Sequence, residues 1–191
     1  MLKIFALTFM FLTTGSAFSS GVFKSGSQAE IDYINSMPLE TFLDVITSGL
    51  TSMVPMPLDN NTVLMKAIRL DKTIIVTYQF NEEDSRREML ELLPTKLPNE
   101  YFVKLLNSRE YDEFYKDYFW VVTKNSLCSN AGLSLAMERG AHVIYSYTDL
   151  DNKELFQLAF DKNDCLKQEA PLDIMWRDFF LNYFKSHNPY Q

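Results

Sequence analysis

The stretch TVLMKAIRLDKTIIVTYQF (residues 62–80) has the pattern of a β-hairpin. Its second arm alternates in hydrophobicity, so that Ile74, Val76 and Tyr78 would share one face of a strand. Residues 71–72 separate the two arms and predict a tight turn between them. The stretch therefore predicts two antiparallel strands with one buried face.

A second hairpin is predicted further along the chain. AHVIYSYT (141–148) alternates as a strand, and ELFQLAF (154–160) returns after the polar turn DLDNK. Val143, Tyr145 and Tyr147 would lie on one face of the first arm. We expect the two hairpins to be the two halves of one antiparallel sheet, which places the chain in the α+β class.

Helices are predicted on both sides of each hairpin. Helical spacing of apolar residues indicates helices at residues 30–54, 82–93, 99–124, 128–139 and 172–186. The stretch YFWVV (118–122) is compatible with either a helix or a strand. The C-terminal helix is amphipathic and has a wide apolar face suited to packing on a sheet. The expected architecture is an antiparallel sheet packed against several helices, this one included.

The N-terminal sequence MLKIFALTFMFLTTGSAFSS has the pattern of a signal peptide. Lys3 supplies the positive charge, residues 4–12 form an apolar run, and small residues follow at a suitable cleavage site. The run is shorter than the roughly 20 residues that cross a bilayer. We predict a signal peptide over residues 1–19, a flexible leader over 20–30, and a single domain over 31–191. The mature protein would be periplasmic or secreted, with no integral membrane segment.

Composition and charge narrow the class of partner. The chain is 47% hydrophobic and contains 15 phenylalanines and 10 tyrosines, which favours a packed globule over disorder. Its formal net charge of −7 would repel a phosphate backbone. Nucleic-acid binding is therefore excluded, and another protein is the expected partner.

The two cysteines of the chain, Cys128 and Cys165, admit two interpretations. CSNAGLSLAMERG (128–140) predicts a helix that begins at Cys128, and a helix N-terminus can acidify a thiol. A nucleophilic cysteine normally needs a base, but neither His142 nor His187 has a suitable spacing. Export would place both cysteines in an oxidising compartment, and their even number favours pairing. We predict a Cys128–Cys165 disulfide.

Sequence motifs assign no catalytic residue, metal site or cofactor. The chain has no CxxC or HxxxH pair, and DLDNKE (149–154) lacks the spacing and the glycine of a calcium loop. It also lacks a GxSxG elbow, a phosphate-binding loop and a dinucleotide fingerprint. Acidic residues are numerous, but the acidic runs are most simply exposed helix faces.

An aromatic cluster at residues 111–120 is the candidate binding surface. The spacing of residues 111, 114, 115 and 118 is helical, so core packing is the first interpretation. The cluster contains more aromatic residues than one buried helix face would hold. The additional aromatic residues suggest an exposed patch that contacts a partner. The candidate surface residues are Tyr111, Tyr115, Tyr118 and Trp120.

The order of these features resembles small exported bacterial α+β proteins of unassigned function. In those proteins a Pro–Asp–Thr turn precedes a hairpin that ends in tyrosine. A helix that begins at cysteine then runs through glycine into a Y-x-Y hairpin that closes at a second cysteine. The matching positions are Pro57, Asp59, Thr62, Tyr78, Cys128, Gly140, Tyr145, Tyr147 and Cys165. The resemblance implies export and the disulfide, and it implies no activity.

The sequence thus favours an exported, non-enzymatic binding or accessory protein, such as an inhibitor, an immunity protein or an envelope-assembly factor. Two alternatives remain open at this point. One is a hydrolase or thiol-dependent enzyme that uses Cys128 or clustered acids. The other is a purely structural component of the cell envelope.

Overall fold

The computed structural model describes residues 28–91 and 99–187. The predicted signal peptide lies outside these ranges, as do residues 20–27 of the predicted leader. Within them the chain forms eight helices and five strands, which confirms the α+β class. The helices are α1 Gln28–Ser36, α2 Leu39–Thr51, α3 Glu82–Glu91, α4 Asn99–Leu106, α5 Arg109–Ser129, α6 Ala131–Glu138, α7 Lys162–Leu166 and α8 Leu172–Ser186. The strands are β1 Met56–Pro57, β2 Thr62–Leu70, β3 Thr73–Phe80, β4 His142–Thr148 and β5 Glu154–Phe160.

The five strands form one sheet in the order β1-β2-β3-β4-β5. Both predicted hairpins are present, β2–β3 and β4–β5, and each is antiparallel. The two hairpins join through β3 and β4, which run parallel from the pair Thr73–His142 to the pair Gln79–Thr148. The expectation of a wholly antiparallel sheet is therefore corrected at its centre. Parallel neighbours need a long crossover, and the helical segment between β3 and β4 provides it.

The hydrophobic core of the sheet lies on the face that the alternation predicts. Ile74, Val76 and Tyr78 of β3 are buried, and Val143 and Tyr147 of β4 are buried beside them. Helix α2 packs against β2 and buries an apolar stripe of its own. The stripe consists of Phe42, Leu43, Ile46 and Leu50. Each such side chain contributes about 1.5–3 kcal/mol of hydrophobic stabilisation when fully buried.

Three tyrosines form an aromatic cluster across the parallel strands. The ring of Tyr78 stacks on that of Tyr147 at 5.2 Å and meets the ring of Tyr145 edge-on at 5.4 Å. Burial raises the pKa of Tyr78 and of Tyr145 above the ordinary tyrosine value of 10.0. The native state therefore holds both phenols in their neutral form.

We expect alkaline pH to unfold the protein cooperatively. Burial raises the folded-state pKa of Tyr78 and Tyr145 above the value of about 10.0 expected in the unfolded chain. The stabilisation that comes from this difference is complete below pH 10.0, and it is lost as the pH rises through the folded-state pKa values. Tyrosines in contact with solvent ionise near pH 10 in general, and this first step should occur without loss of structure. A second rise in absorbance at 295 nm should coincide with loss of the circular dichroism signal. Complete ionisation of the tyrosines in a folded chain would contradict this expectation.

The N-terminal helix differs from the single helix predicted over residues 30–54. Pro38 divides it into α1 and α2, because proline disfavours helical backbone in the residue before it and occupies the N-cap of α2. Helix α1 begins at Gln28, two residues before the predicted helix start at residue 30. Arg139 holds the end of α1 by donating hydrogen bonds to the carbonyls of Ile34 and Met37.

The central helical region also differs from its predicted bounds. The predicted helix 99–124 is divided at residues 107–108 into α4 and α5, and α5 continues to Ser129. The stretch 118–122 is helical, which settles the alternative between helix and strand. Over the residues that the structure describes, no helix is long and apolar enough to span a membrane.

The chain divides into two compact units. The first consists of the described parts of Met1–Asn81 and Lys124–Leu166, and it contains the whole sheet. The second consists of the described parts of Glu82–Thr123 and Lys167–Gln191. That residues 31–191 fold as a single domain stays a prediction.

Candidate functional site

The two cysteines are joined in a disulfide, as the sequence analysis expects. The Cα atoms of Cys128 and Cys165 are 5.6 Å apart, and no described cysteine is free. Cys128 lies at the end of α5, whereas Cys165 lies in α7, after β5. The bond therefore ties the end of α5 to the helix that follows the second hairpin, and α6 and the hairpin lie between the two cysteines in sequence.

The expected position of Cys128 at a helix N-terminus is wrong. Helix α6 begins after Asn130, whose side chain accepts a hydrogen bond from the backbone N–H of Leu133 at 3.0 Å. Asparagine is a favourable N-cap residue because its side chain satisfies one of the free N–H groups of the first turn. Cys128 lies in the last turn of α5, where the helix dipole disfavours a thiolate. Gly140 follows α6 with a φ of +93°, in agreement with its predicted place at the helix end.

Two residues of the predicted aromatic surface are buried. Tyr111 is 0% exposed and Tyr115 is 1% exposed, which corrects their assignment to a surface. Their hydroxyls donate hydrogen bonds inside the second unit, from Tyr111 to the carbonyl of Arg86 at 2.8 Å and from Tyr115 to the hydroxyl of Ser85 at 3.0 Å. The pKa of Tyr111 is raised by burial.

A half-buried arginine packs over these two tyrosines. The guanidinium of Arg86 lies over both rings, 5.3 Å from the centroid of Tyr111 and 5.4 Å from that of Tyr115. It also donates to a carboxylate oxygen of Asp112 at 2.6 Å and to one of Glu82 at 3.3 Å. Cation–π contacts of this kind contribute about 0.5–2 kcal/mol each. The cluster is therefore part of the packing of the second unit.

Tyr118 and Trp120 are half-buried, and a binding role for them stays a prediction. Tyr118 meets the ring of Trp176 edge-on at 5.6 Å, and burial raises the pKa of Tyr118. The ammonium of Lys167 lies 6.0 Å from the ring of Trp120. Helix α8 continues this packing, because Phe179 stacks on a ring of α5 at 4.3 Å.

The candidate groups for acid–base and metal chemistry do not converge. His142 and His187 are both exposed, at the start of β4 and after α8. In DLDNKE, the carboxylate of Asp149 accepts hydrogen bonds from the backbone N–H of Asp151 and of Lys153, which builds the hairpin turn. Among the described residues, no three His, Cys, Asp or Glu side chains form a group that could hold a metal ion.

An open groove of about 580 Å³ lies in the first unit, between helix α2 and strand β2. Small hydroxyl side chains form the helical wall, and the backbone of β2 forms the other. The lining residues are Asp44, Thr47, Ser48, Thr51, Ser52, Ala67, Ile68 and Arg69. We define this as the α2–β2 groove.

The groove exists because β1 covers only a short part of the edge of β2. Met56 and Pro57 pair with Leu64 and Val63, whereas β2 continues to Leu70. The hydroxyl of Thr51 donates to the carbonyl of Ala67 at 2.9 Å, so this carbonyl points away from β3 and into the groove. Strand residues alternate in direction, and the N–H and C=O of a residue point to the same edge. The backbone of Arg69 therefore also faces the groove.

One end of the groove carries a two-point ion pair. The guanidinium of Arg69 donates to the two carboxylate oxygens of Asp44 at 2.6 and 3.4 Å, and to the carbonyl of Asp71 at 2.8 Å. The hydrogen bond to Asp44 raises the pKa of Arg69, and the charges of Asp44, Glu40 and Asp71 act in the same direction. One carboxylate thus contacts the guanidinium, and two others lie near it.

The sequence pattern does not predict the groove. Its helical wall comes from polar residues of α2 beside the buried stripe, of which Thr47 is itself buried, and polar residues at the edge of an amphipathic helix are not distinctive in sequence. The signal that could have indicated it is the pair of prolines in VPMP (54–57). Proline is poorly tolerated within a sheet, so a strand containing Pro57 is expected to be short and to leave its neighbour uncovered.

Comparison with known proteins gives similarities at low identity. No protein-family model and no curated protein matches the chain. A protein of Pseudomonas aeruginosa described as secreted is similar in structure, with 16% identity over 66% of this chain and 92% of that chain and a TM-score of 0.49. The pilotin EpsS of the Vibrio vulnificus type 2 secretion system gives 10% identity over 68% and 94% of the two chains, with a TM-score of 0.45. The Vibrio cholerae type II secretion pilotin AspS gives 12% identity over 66% and 92%, with a TM-score of 0.42.

All three scores lie below 0.5. Similarities of this size do not establish a common fold with any of these proteins. They assign neither a partner nor an activity to this chain.

Proposed function

We propose that this chain is an exported accessory protein of the periplasm or the extracellular space, and that it acts by binding another protein rather than by catalysis. The observation that carries the proposal is the Cys128–Cys165 disulfide, which uses both cysteines of the chain. Such bonds persist in oxidising compartments and are rare in the cytosol. The signal-peptide pattern of residues 1–19 supports the same location independently.

The α2–β2 groove supports binding rather than chemistry. Its walls offer hydroxyls, a strand backbone and an ion pair, and neither a histidine nor a cysteine is among its lining residues. The sulfur of Cys128 is bonded to Cys165, which leaves no thiolate for nucleophilic catalysis. An inhibitor, an immunity protein or an envelope-assembly factor would each use such a surface. The net charge of −7 would attract a basic partner.

Export is tested with a reporter enzyme that is active only outside the cytoplasm, fused after residue 30. We expect activity with residues 1–30 in place, because the apolar run and small residues direct translocation. A matched fusion with Phe9→Asp, which puts a charge in the apolar run, should be inactive. Equal activity of both fusions, or inactivity of both, would exclude this pattern as an export signal.

Thiol titration tests the non-enzymatic part of the proposal. The unreduced chain should contain no titratable thiol, either native or unfolded in urea, and reduction should release the two cysteines. Two free thiols in the native protein, with one titrating below about pH 7, would favour a thiol enzyme instead.

Binding is tested by using the mature chain as bait in an envelope extract of the source organism. We expect one partner protein in a fixed molar ratio. Recovery of no such partner would contradict the accessory role. Loss of envelope integrity on gene deletion, without any binding partner, would favour a structural component.

A further inference from the structure

We infer that the α2–β2 groove receives an extended, basic segment of the partner protein, which adds to the sheet as a strand beside β2. This inference rests on the proposed function, since it assumes that the chain binds another protein. It names the chemistry of the segment and the part of the molecule that holds it.

The edge of β2 supplies the backbone for strand addition. Over the described residues, pairing on this edge is limited to Val63 and Leu64. The carbonyl of Ala67 points away from β3. Backbone groups two residues apart in a strand point to the same edge, so the N–H and C=O of Arg69 also point away from β3. An incoming strand would exchange main-chain hydrogen bonds with Arg69, in the way that extended peptides extend exposed sheet edges.

A guest strand would replace two side-chain contacts that cross the groove, from Thr51 to the Ala67 carbonyl at 2.9 Å and from Arg69 to Asp44 at 2.6 Å. A neighbouring strand lies about 4.7–4.9 Å from β2. The side chains of α2 that face this space are small at Thr47, Ser48 and Thr51. The hydroxyl of Thr51 already donates to the carbonyl of Ala67, as the N–H of an adjacent strand would do. Strand β1 ends after two residues, and over the described residues no strand pairs with Ala67 or Arg69 on this edge.

The charges at the groove favour a basic side chain on the guest strand. Asp44, Glu40 and Asp71 all act on the charge of Arg69, so three carboxylates lie near one guanidinium. The side chain of Asp44 is 57% exposed despite its ion pair, so a second cation can approach it. The charge of Lys66 lies on the opposite face of the sheet from Arg69. Lys66 pairs with Thr77, whereas Arg69 pairs with Ile74, and side chains three positions apart in a strand point to opposite faces.

The test begins with a random library of peptides of about nine residues displayed on phage, a length that exceeds a typical strand. Selection on the mature chain should enrich peptides with lysine or arginine and without a central proline. Synthetic copies of the enriched peptide are then measured on protein variants. Ser48→Trp places an indole in the groove, whereas Asn125→Trp places one on an exposed position of α5 outside it.

We expect Ser48→Trp to weaken binding of the enriched peptide at least about tenfold, and Asn125→Trp to change it less than about twofold. Asp44→Asn should weaken it about two- to fivefold at low salt, the worth of an exposed ion pair, and less at high salt. Circular dichroism and thermal melting establish that each variant is folded.

N-methylation of the peptide gives a readout that does not depend on folding of a variant. Two peptides are compared, one methylated on its odd-numbered amides and one on its even-numbered amides. Methylation of the set that faces β2 should abolish binding, and methylation of the other set should be tolerated. Loss of this alternation would overturn strand addition. Enrichment of acidic peptides, or equal binding to Ser48→Trp and wild type, would overturn the assignment of the groove.

Two further outcomes separate this inference from the proposed function. If the partner recovered from the envelope extract binds Ser48→Trp as well as wild type, the inference fails and the proposed function stands. If the wild-type chain is a dimer that Ser48→Trp dissociates, a second copy occupies the groove and the inference is wrong. If wild type recovers no partner, the proposed function fails first.

Discussion

Replacing Cys128 and Cys165 together with serine is expected to lower the free energy of unfolding by about 4 kcal/mol. The two residues are separated by 37 positions, and closing a loop of that length restricts the unfolded chain strongly. The loop contains α6 and the whole β4–β5 hairpin. Urea unfolding followed by circular dichroism measures the effect, because the midpoint shifts in proportion to the change in stability.

Reduction of the wild-type chain should reproduce this loss, since it breaks the same bond without changing the sequence. A matched control is Ser129→Ala, an exposed change beside Cys128, which should alter stability by less than about 0.5 kcal/mol. A double variant as stable as the control would contradict the structural role of the bond. Loss of an activity in Cys128→Ser at unchanged stability would revive the thiol interpretation.

The strands were predictable because their signal is local. Strict alternation over residues 74–80 allows one orientation of the strand in which the alternate apolar side chains are all buried. A shift of the strand by one residue would expose all of these side chains. The turn at residues 71–72 then fixes the register of β2 against β3, with Leu70 opposite Thr73. The same reasoning holds for β4 and β5, whose bounds match the predicted stretches closely.

The parallel pairing of β3 with β4 could not be read from either strand. Alternation fixes which face of a strand is buried, but it does not fix the direction of a neighbouring strand. Strand β4 begins at His142, 62 positions after β3 ends at Phe80 (142 − 80 = 62). The direction of β4 depends on the end of β3 beside which the chain emerges from the intervening helices. Two hairpins in an antiparallel sheet and two hairpins joined in parallel have the same local pattern.

Helix ends show the same division between local and non-local information. Pro38 and Asn130 are local stop and start signals, and each marks a real boundary that the periodicity of apolar residues obscured. The rings of Tyr111 and Tyr115 pack against Arg86, which lies in a different helix. Periodicity identified the helical face of these rings, but it carried no information about the side chain that covers them.

The aromatic core at the junction of the two hairpins carries the second large expected effect. Replacing Tyr147 with alanine should lower the free energy of unfolding by about 3–5 kcal/mol, the usual cost of truncating a buried aromatic residue. Tyr147 is 1% exposed, and its ring contacts those of Tyr78, Phe80 and Phe156 at 5.2, 5.7 and 4.9 Å. These contacts link three adjacent strands, so the cavity would open where the parallel pair meets both hairpins.

The matched control is Tyr33→Ala, because Tyr33 is 66% exposed and its loss should change stability by less than about 0.5 kcal/mol. Urea unfolding of both variants measures the difference, and a similar slope of free energy against urea in both would show that the unfolded states are comparable. If the two variants lose stability equally, β4 does not bury Tyr147 between β3 and β5. Such a result would contradict the burial of Tyr147 in the core of the sheet, whichever direction β4 takes relative to β3.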